Sequence, residues 1–293
     1  MKLFLLNLCF FGYLGAQPLT PAIPGQRIAV EVSSDLQTWT MALPYNSPRG
    51  FIRARTETNA QFAAWITAAD ALTGTDVEIF KNGQRNPQCW GASIDLTPFC
   101  ITEKAGVLVS PCHVLFVTHW HPNVGDTVQW MTADNQVISR TLTALVSLPD
   151  TSYLEPDITV GRINEDVPAG VSFVRVLKDS AAMRDWDGYL VPAVMRDQSN
   201  ALHEADVLRI WPSPPTAWLQ APLSPARLPR YKEMVSGDSG SPVCVVDEGG
   251  LVLLLMISQG GTIGRGAFLP AYIEPINAAM TTLGGGYQLS TTP

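Results

Sequence analysis

The 293-residue sequence contains little charge and few histidines. Charged residues make up 15% of it, the formal net charge is −7, and lysines and arginines form no cluster. Because nucleic-acid-binding proteins carry a basic face, this composition argues against nucleic acid as a partner. Internal repeats and low-complexity tracts are absent as well. With only four histidines, the sequence has few side chains from which to build a metal site.

Apolar runs of membrane-spanning length are also missing. The apolar run at residues 3–14 follows a basic start and precedes the small pair Gly15-Ala16, a pattern typical of a signal peptide and too short for a stable span. Cys9 lies inside this run and does not follow a small residue, which argues against a lipoprotein anchor. We therefore expect residues 1–16 to be removed before Gln17, giving a secreted or periplasmic protein without membrane contact.

Four cysteines remain after that cleavage: Cys89, Cys100, Cys112 and Cys244. An even number in an exported protein permits disulfides, and four cysteines allow three pairings. We favour a Cys89–Cys100 disulfide, because a strand and a turn between the two could bring them together. Cys112 and Cys244 are expected to be buried free thiols.

The most informative segment is Val-Ser-Gly-Asp-Ser-Gly-Ser-Pro at residues 235–242. Glycines on either side of Ser239 allow positive φ angles and close approach of another molecule, so the turn is suited to exposing the hydroxyl group. The N–H groups of Gly237 and Ser239 could both point to one spot and hold an oxyanion there. A serine hydroxyl is a weak nucleophile, so this interpretation requires a base and an orienting acid elsewhere in the chain.

Two earlier segments supply these groups. Residues 106–120 form two apolar, β-branched runs around a Ser-Pro turn, which predicts a hairpin whose second strand ends at His119. Asp157 follows a proline and precedes a short alternating run that predicts a strand. Asp150, in a Leu-Pro-Asp-Thr turn, and Asp166, beyond the strand, are weaker candidates for the acid. The order along the chain is therefore His119, Asp157, Ser239.

These three segments resemble the chymotrypsin/trypsin-like serine peptidases, in particular the secreted bacterial ones. Residues 106–120 follow the family signature G-x-L-I-S-P-x-x-V-L-T-A-A-H-C, the segment from Asp157 follows D-I-A-L-L-x-L, and residues 237–242 follow G-D-S-G-G-P. The resemblance covers about residues 85–284. It implies an all-β fold of two antiparallel six-stranded barrels and a C-terminal helix, with a His119–Asp157–Ser239 triad in the cleft.

The resemblance also implies substrate-binding residues. The apolar run at residues 251–257 ends in Ser258, Gln259 and Gly260, which match the strand that pairs with a substrate peptide. Glu233 lies six residues before Ser239, at the base of the pocket for the side chain that precedes the cleaved bond. A carboxylate there would favour Arg or Lys. Equally, Glu233 could be half of a solvated Lys232–Glu233 pair on a surface loop.

One feature departs from the family. In trypsin-like zymogens a freed N-terminal Ile or Val pairs with the aspartate before the serine, which is Asp238 in this sequence. No Ile-Val-Gly-Gly start lies at a suitable distance before Gly106. Either the site forms without cleavage and another group satisfies Asp238, or the N-terminal segment is an inhibitory prosegment.

Two other histidines lie close to His119. His119 and His121 in Thr-His-Trp-His are similar to the start of a metallo-β-lactamase motif, but Asn123 and Val124 stand where that motif needs Asp and His. We expect no metal and no cofactor. His113 is expected to be packed in the strand or partly exposed, and His121 to lie at the rim of the cleft.

The sequence before the resemblance predicts a small β module or prosegment at residues 17–57, with strands at residues 27–32, 36–41 and 51–55. A linker at residues 58–84 follows, with a helix over residues 59–72, and the chain ends in a tail at residues 285–293.

The function predicted from these features is a secreted serine endopeptidase, acting as a monomer on protein or peptide substrates through an acyl-enzyme. Two alternatives stay open. One is a catalytically silent binding module on the same fold, and the other is an esterase that uses the same triad.

Overall fold

A computed structural model describes residues 26–33, 40–41, 51–58, 60–149, 156–178, 190–209, 216–258 and 264–292. Within these residues the protein is mostly β, with two curled sheets and a C-terminal helix, which confirms the all-β prediction at that level. No helix in the described part of the chain has both the length and the apolarity needed to cross a membrane. The predicted signal peptide, residues 1–16, lies outside the described residues.

A small antiparallel sheet comes first along the chain. Its strands, in the order β2-β1-β3, are β1 (Gln26–Ser33), β2 (Thr40–Met41) and β3 (Phe51–Thr58). They lie at the positions of the three predicted strands; residues 36–39 of the second predicted strand are outside the described residues.

The first curled sheet carries the hairpin predicted at residues 106–120, but its second strand ends at Phe116, so His119 lies in the loop after the strand and not at its end. Its strand order is β6-β7-β10-β9-β8, all antiparallel. Its strands are β6 (Val107–Ser110), β7 (His113–Phe116), β8 (Thr127–Met131), β9 (Val137–Ser147) and β10 (Thr159–Ile163). A separate short hairpin of β4 (Phe80–Lys81) and β5 (Gln84–Arg85) precedes them in the chain. Phe116, Trp130 and Leu142 belong to one hydrophobic cluster of this sheet and are fully buried.

The second curled sheet carries the segment around Ser239. Its strand order is β11-β16-β15-β12-β13-β14-β17, and only the β11–β16 pair is parallel among the described residues. The strands are β11 (Arg175–Val176), β12 (Leu190–Arg196), β13 (Leu202–Arg209), β14 (Thr216–Gln220), β15 (Pro242–Asp247), β16 (Gly250–Met256) and β17 (Gly264–Ala267). Among the described residues the two sheets thus have five and seven strands and are not closed, whereas two six-stranded barrels were expected. The counts differ because β11 follows the first sheet in sequence but pairs with β16 of the second.

One hydrophobic cluster joins the two sheets. It contains Leu115 and Val160 of the first sheet together with Val194, Leu253 and Met256 of the second, all buried. Removing this much apolar surface from water stabilises the packing of one sheet on the other. The ends of β7 and β10 and the loop before β15 therefore lie in fixed positions relative to each other.

The segment predicted as a linker packs on the second sheet. Helix α1 (Ala60–Ala71) contacts β12 and β15, and Trp65 lies in the core of that sheet. The Leu202 N–H donates to the Val77 carbonyl at 2.7 Å, and the Trp90 indole N–H donates to the Leu202 carbonyl at 2.8 Å. Residues 60–90 thus form part of the second sheet's core and edge.

Helix α2 (Ile273–Leu283) follows a 3-10 turn at Leu269–Tyr272 and packs against β9 and β10 of the first sheet. It ends at Gly284, whose φ of 77° suits glycine. The tail then runs beside β11, where the Val176 N–H donates to the Ser290 carbonyl at 2.8 Å.

The predicted Cys89–Cys100 disulfide is wrong. All four described cysteines, Cys89, Cys100, Cys112 and Cys244, are free and buried. Cys89 packs in the cluster between the sheets and Cys100 in the core of the first sheet, so the two thiols face different surroundings. Burial raises the pKa of Cys100 to about 12, which keeps that thiol protonated and unreactive.

Candidate active site

The loop that follows β7 is hydrogen-bonded to the residues that precede β10. The Thr118 N–H donates to the Asp157 carbonyl oxygen at 3.2 Å, and the His119 N–H donates to Asp157 Oδ1 at 3.0 Å. Asp157 has a φ of 50°, in the left-handed region that Asp tolerates better than most residues. This backbone geometry presents the second carboxylate oxygen to the His119 ring.

His119 lies between Asp157 and Ser239. Its Nδ1 is 2.7 Å from Asp157 Oδ2, and its Nε2 is 2.9 Å from Ser239 Oγ. The Asp157 side chain is 14% exposed and that of His119 is 47% exposed, so the acid is shielded while the imidazole is open to solvent. The structure thus brings the three residues singled out in the sequence into one hydrogen-bonded line.

Hydroxyl groups connect the strands behind this line. Thr118 Oγ1 and Thr159 Oγ1 are 3.0 Å apart, and Thr159 Oγ1 and Ser147 Oγ are 2.8 Å apart. Thr159 is fully buried, so this chain of hydrogen bonds is shielded from competition by water. It fixes the start of β10, and with it the position of Asp157.

The loop that carries Ser239 is packed closely against its surroundings at two glycines. Gly240 has a φ of 81°, and a Cβ atom there would lie 2.7 Å from the carbonyl oxygen of Ala105, just before β6. Gly237 has a φ of 99°, and a Cβ there would lie 1.9 Å from Oε1 of Gln198. Only glycine fits either position, as expected where backbone approaches backbone or a covering side chain.

The N–H groups of Gly237 and Ser239 have no acceptor in the part of the chain that the structure describes. The neighbouring amides do: the Asp238 N–H donates to the Val235 carbonyl at 3.1 Å, and the Gly240 N–H donates to the Ile257 carbonyl at 2.8 Å. Two free donors beside a serine hydroxyl form a site that can accept a developing negative charge.

Asp238 is part of this loop, and its side chain is fully buried. Its Oδ2 accepts the Val235 N–H at 2.8 Å and its Oδ1 accepts the Gln198 N–H at 3.2 Å. Lys232 Nζ lies 3.6 Å from the same Oδ1. Lys232 thus faces the Asp238 carboxylate. A site that forms without cleavage, one of the two alternatives left open by the sequence, requires such a group.

The predicted substrate-binding residues are only partly described. Glu233 is exposed, and its neighbour Lys232 pairs with Asp197 and Asp238 instead of with Glu233. The Ser258 N–H donates to the Arg265 carbonyl oxygen at 2.9 Å, and its hydroxyl donates to the same oxygen at 3.2 Å. Gln259 and Gly260 lie outside the described residues. The roles of all four residues stay predictions.

The other candidate residues lie away from the triad line or outside the described part. His113 is fully buried, which agrees with the packed alternative, and its Nδ1 is 2.8 Å from Ser110 Oγ. The pKa of His113 is lowered, mainly because burial disfavours the charged ring. His121 is half-buried and its Nδ1–H donates to the Pro122 carbonyl at 2.7 Å. Asp166 accepts the Tyr287 hydroxyl at 2.6 Å.

Asp150, the remaining candidate for the acid, is outside the described residues. Among the described residues, no group of three or more His, Cys, Asp and Glu side chains has a metal-binding arrangement.

Sequence reasoning missed the residues that support the site. Gln198 packs over Gly237 and its Nε2 donates to the Ser236 carbonyl at 3.1 Å. Trp120, beside His119, is 37% exposed, and its ring lies 5.1 Å from Lys104 Nζ. Gln198 is about 40 residues from the serine loop in sequence, so no local pattern could have linked the two. The position of Trp120 directly after His119 was a signal available in the sequence.

Comparison with protein-family models finds no match for this chain, and a search of curated proteins finds none either. The assignment of a function therefore rests on the residues and geometry described above.

Proposed function

We propose that this protein is a secreted serine endopeptidase that hydrolyses peptide bonds through an acyl-enzyme at Ser239. The observation that supports it most is the unbroken line of hydrogen bonds from Asp157 through His119 to Ser239, with heavy-atom distances of 2.7 and 2.9 Å. Side chains separated by 38 and 82 residues meet there at distances typical of an activated nucleophile.

In the first half of the reaction, Ser239 Oγ attacks the carbonyl carbon of the substrate while His119 Nε2 takes the hydroxyl proton. Asp157 accepts a hydrogen bond from the Nδ1–H group of His119, which fixes the tautomer and stabilises the imidazolium ring. His119 then gives the proton to the leaving amine as the C–N bond breaks. Water attacks the resulting ester by the same route in reverse, and the acid product leaves with Ser239 regenerated.

The tetrahedral intermediates carry a negative oxygen. The N–H groups of Gly237 and Ser239 have no acceptor within the described residues and are the donors proposed to hold that oxygen. Because both are backbone groups in a loop held by hydrogen bonds from the Val235 and Gln198 N–H groups to Asp238, they need no rearrangement as the charge develops. The removal of one such donor costs about 10²–10³ in kcat in related sites.

The fold supports the same proposal at a coarser level. A chymotrypsin-like protein would have two six-stranded barrels with the triad between them, and the described residues of this chain form two curled sheets of five and seven strands. His119 and Asp157 belong to the first sheet and Ser239 to the loop before β15 of the second. We propose that the sheets are the two barrels of that family, with β11 moved to the second.

The experiment that tests the proposal is hydrolysis of a fluorogenic peptide library by the mature protein. We expect cleavage that falls by about 10⁶ in kcat in Ser239→Ala, since the triad acts as a unit. The matched control is Ser236→Ala, which removes an exposed hydroxyl from the same loop. Hydrolysis that persists in Ser239→Ala would overturn the proposal.

Assays of the same proteins on peptides and on activated esters separate the alternatives. A silent binding module would cleave neither peptides nor activated esters, and an esterase would cleave the esters alone. Cleavage of internal peptide bonds at rates that depend on Ser239 supports the endopeptidase. Secretion is tested separately: the mature chain recovered outside the cytoplasm should begin near Gln17.

A further inference from the structure

Asp238, next to the candidate nucleophile, is a fully buried carboxylate. A buried charge without a partner is costly, because neither water nor the protein interior then compensates for its lost hydration. Its two backbone donors, the N–H groups of Val235 and Gln198, satisfy hydrogen bonds but carry no full charge. A cation is therefore needed to balance the negative charge of Asp238.

Lys232 supplies that cation from within the same segment of the chain. Its Nζ lies 3.6 Å from Asp238 Oδ1 and 2.6 Å from Asp197 Oδ2, and both carboxylates are almost completely buried. The ammonium group therefore sits between two buried aspartates, one on the serine loop and one at the end of β12. The two carboxylates together therefore fix the position of the Lys232 ammonium group.

Asp197 is itself firmly held. Its Oδ1 accepts the N–H groups of Ser199 and Ala201 at 2.8 and 2.9 Å, and its Oδ2 lies 3.2 Å from His203 Nε2. Burial opposes its ionisation, but the hydrogen bonds from His203, Lys232 and Ser199 hold the pKa of Asp197 well below its ordinary value. Asp197 is thus a permanent anion that anchors Lys232.

We infer that Lys232 is a positioning residue that holds the Gly237–Ser239 oxyanion loop in its working conformation, in place of a freed chain terminus. The inference rests on the proposed function and concerns the regulation of the same site. It means that this protein is active without proteolytic release of a new N-terminus next to Asp238.

The hydrogen bonds show how Lys232 acts on the loop. Asp238 Oδ2 accepts the Val235 N–H at 2.8 Å, and the Asp238 N–H donates back to the Val235 carbonyl at 3.1 Å. The carboxylate therefore closes the turn that aims the Gly237 and Ser239 N–H groups. Without Lys232, Asp238 would gain by turning towards water, and the turn would open.

The packing of the N-terminal residues agrees with a site that needs no cleavage. Helix α1 and residues 72–90 are built into the second sheet, with Trp65 in its core and Arg227 Nε 2.8 Å from Asp70 Oδ1. Cleavage just before β6 would leave this segment attached by its packing alone.

The test compares Lys232→Met, which keeps the length of the side chain and removes its charge, with Lys81→Met. Lys81 is a matched control because its Nζ also lies 2.6 Å from an aspartate oxygen, that of Asp76, far along the chain from the serine loop. The measurements are kcat and KM on a peptide substrate and the rate of labelling by a fluorophosphonate. We expect Lys232→Met to lower kcat and the labelling rate by about 10²-fold, the cost of a lost oxyanion donor, with KM nearly unchanged.

Lys232→Arg restores the cation and should recover most of the lost kcat, which a merely structural packing role would not explain. Lys81→Met should match the parent protein. Activity of folded Lys232→Met equal to that of the parent would overturn the inference.

A second measurement decides the question even if Lys232→Met does not fold. The intact mass of fluorophosphonate-labelled parent protein should show that the labelled molecules retain α1. If only molecules cut between α1 and β6 are labelled, the inference is wrong. In either experiment, a parent protein that neither cleaves peptide nor reacts with the probe contradicts the proposed function itself, so the two failures are distinguishable.

Discussion

Replacement of Asp157 by asparagine tests the geometry of the site with a change of one atom in one side chain. Asp157 uses its two oxygens differently: Oδ1 accepts the His119 backbone N–H at 3.0 Å, and Oδ2 faces His119 Nδ1 at 2.7 Å. The backbone N–H is always a donor, so Oδ1 must remain an acceptor. Asparagine also tolerates the left-handed conformation at this position, which has a φ of 50°.

These contacts leave the introduced asparagine side chain one orientation that works. With its oxygen towards the His119 N–H, its NH₂ group faces Nδ1 and can donate only if that nitrogen is unprotonated. The ring proton must then reside on Nε2, which points at Ser239. The other orientation would place the NH₂ group against the backbone N–H, donor against donor. In Asp157→Asn the histidine is therefore held in the tautomer that cannot accept the serine proton.

The expected cost follows from the loss of the base. The same exchange lowers kcat about 10⁴-fold in the well-characterised Ser-His-Asp template, which corresponds to roughly 5.5 kcal/mol of activation free energy. We expect a similar loss on peptide substrate for Asp157→Asn, with little change in the thermal midpoint of unfolding because size and hydrogen-bond count are kept.

The matched control is Asp166→Asn, which makes the same change in a carboxylate that accepts the Tyr287 hydroxyl at 2.6 Å and was a weaker candidate for the acid. It should retain parental kcat. An Asp157→Asn protein within about tenfold of parental activity would refute the tautomer argument, and a large loss in Asp166→Asn would place the acid elsewhere.

Three further changes test the packing around the site. Gly240→Ala should destabilise the protein by about 1–3 kcal/mol and slow fluorophosphonate labelling, because its Cβ would lie 2.7 Å from the Ala105 carbonyl; parental values in urea unfolding and labelling would contradict that close approach. Trp65→Ala should cost about 3–5 kcal/mol in urea unfolding if α1 belongs to the second sheet's core, whereas a linker helix would lose less than about 1 kcal/mol. Burial lowers the pKa of His113 from its ordinary 6.5, so the unfolded chain binds this proton first and stability falls as the pH drops through that value. The fall in unfolding free energy from about pH 7.5 to pH 5 should be smaller in His113→Asn than in the parent, and an equal fall in both would show that His113 does not titrate on unfolding.

The triad residues could be singled out from the sequence because each lies in a local pattern. Ser239 is marked by flanking glycines, His119 by the end of an apolar hairpin strand, and Asp157 by its place before a buried strand. Such patterns reflect contacts between residues close in the chain, which is where sequence periodicity carries information. The structure then places the three side chains within hydrogen-bonding distance.

The features that sequence reasoning missed depend on contacts between distant residues. Lys232 and Asp197 are paired across 35 positions, and the position of Asp197 depends on how β12 ends. In the sequence Lys232 had an obvious neighbour of opposite charge in Glu233, and nothing local indicated that it would pair elsewhere. The predicted Cys89–Cys100 disulfide is wrong for the same reason, because the separation of two cysteines along the chain does not show in which hydrophobic cluster each thiol packs.

The predicted number of strands in each sheet differs from the structure because of one short strand. β11 has two residues, Arg175–Val176, and pairs in parallel with β16. A two-residue strand has no periodicity to recognise, and its partner lies more than 70 positions away in sequence. Two curled sheets were implied by the resemblance to the trypsin-like peptidases, but the sheet that β11 joins is decided by tertiary packing.

The most direct test of the central claim is to map the site of fluorophosphonate labelling in the parent protein, in His119→Ala and in His121→Ala. If His119 activates Ser239, the parent and His121→Ala are labelled at Ser239, identified by peptide mass, and His119→Ala is labelled far more slowly. Labelling at another residue, or equal rates in all three folded proteins, would contradict the account.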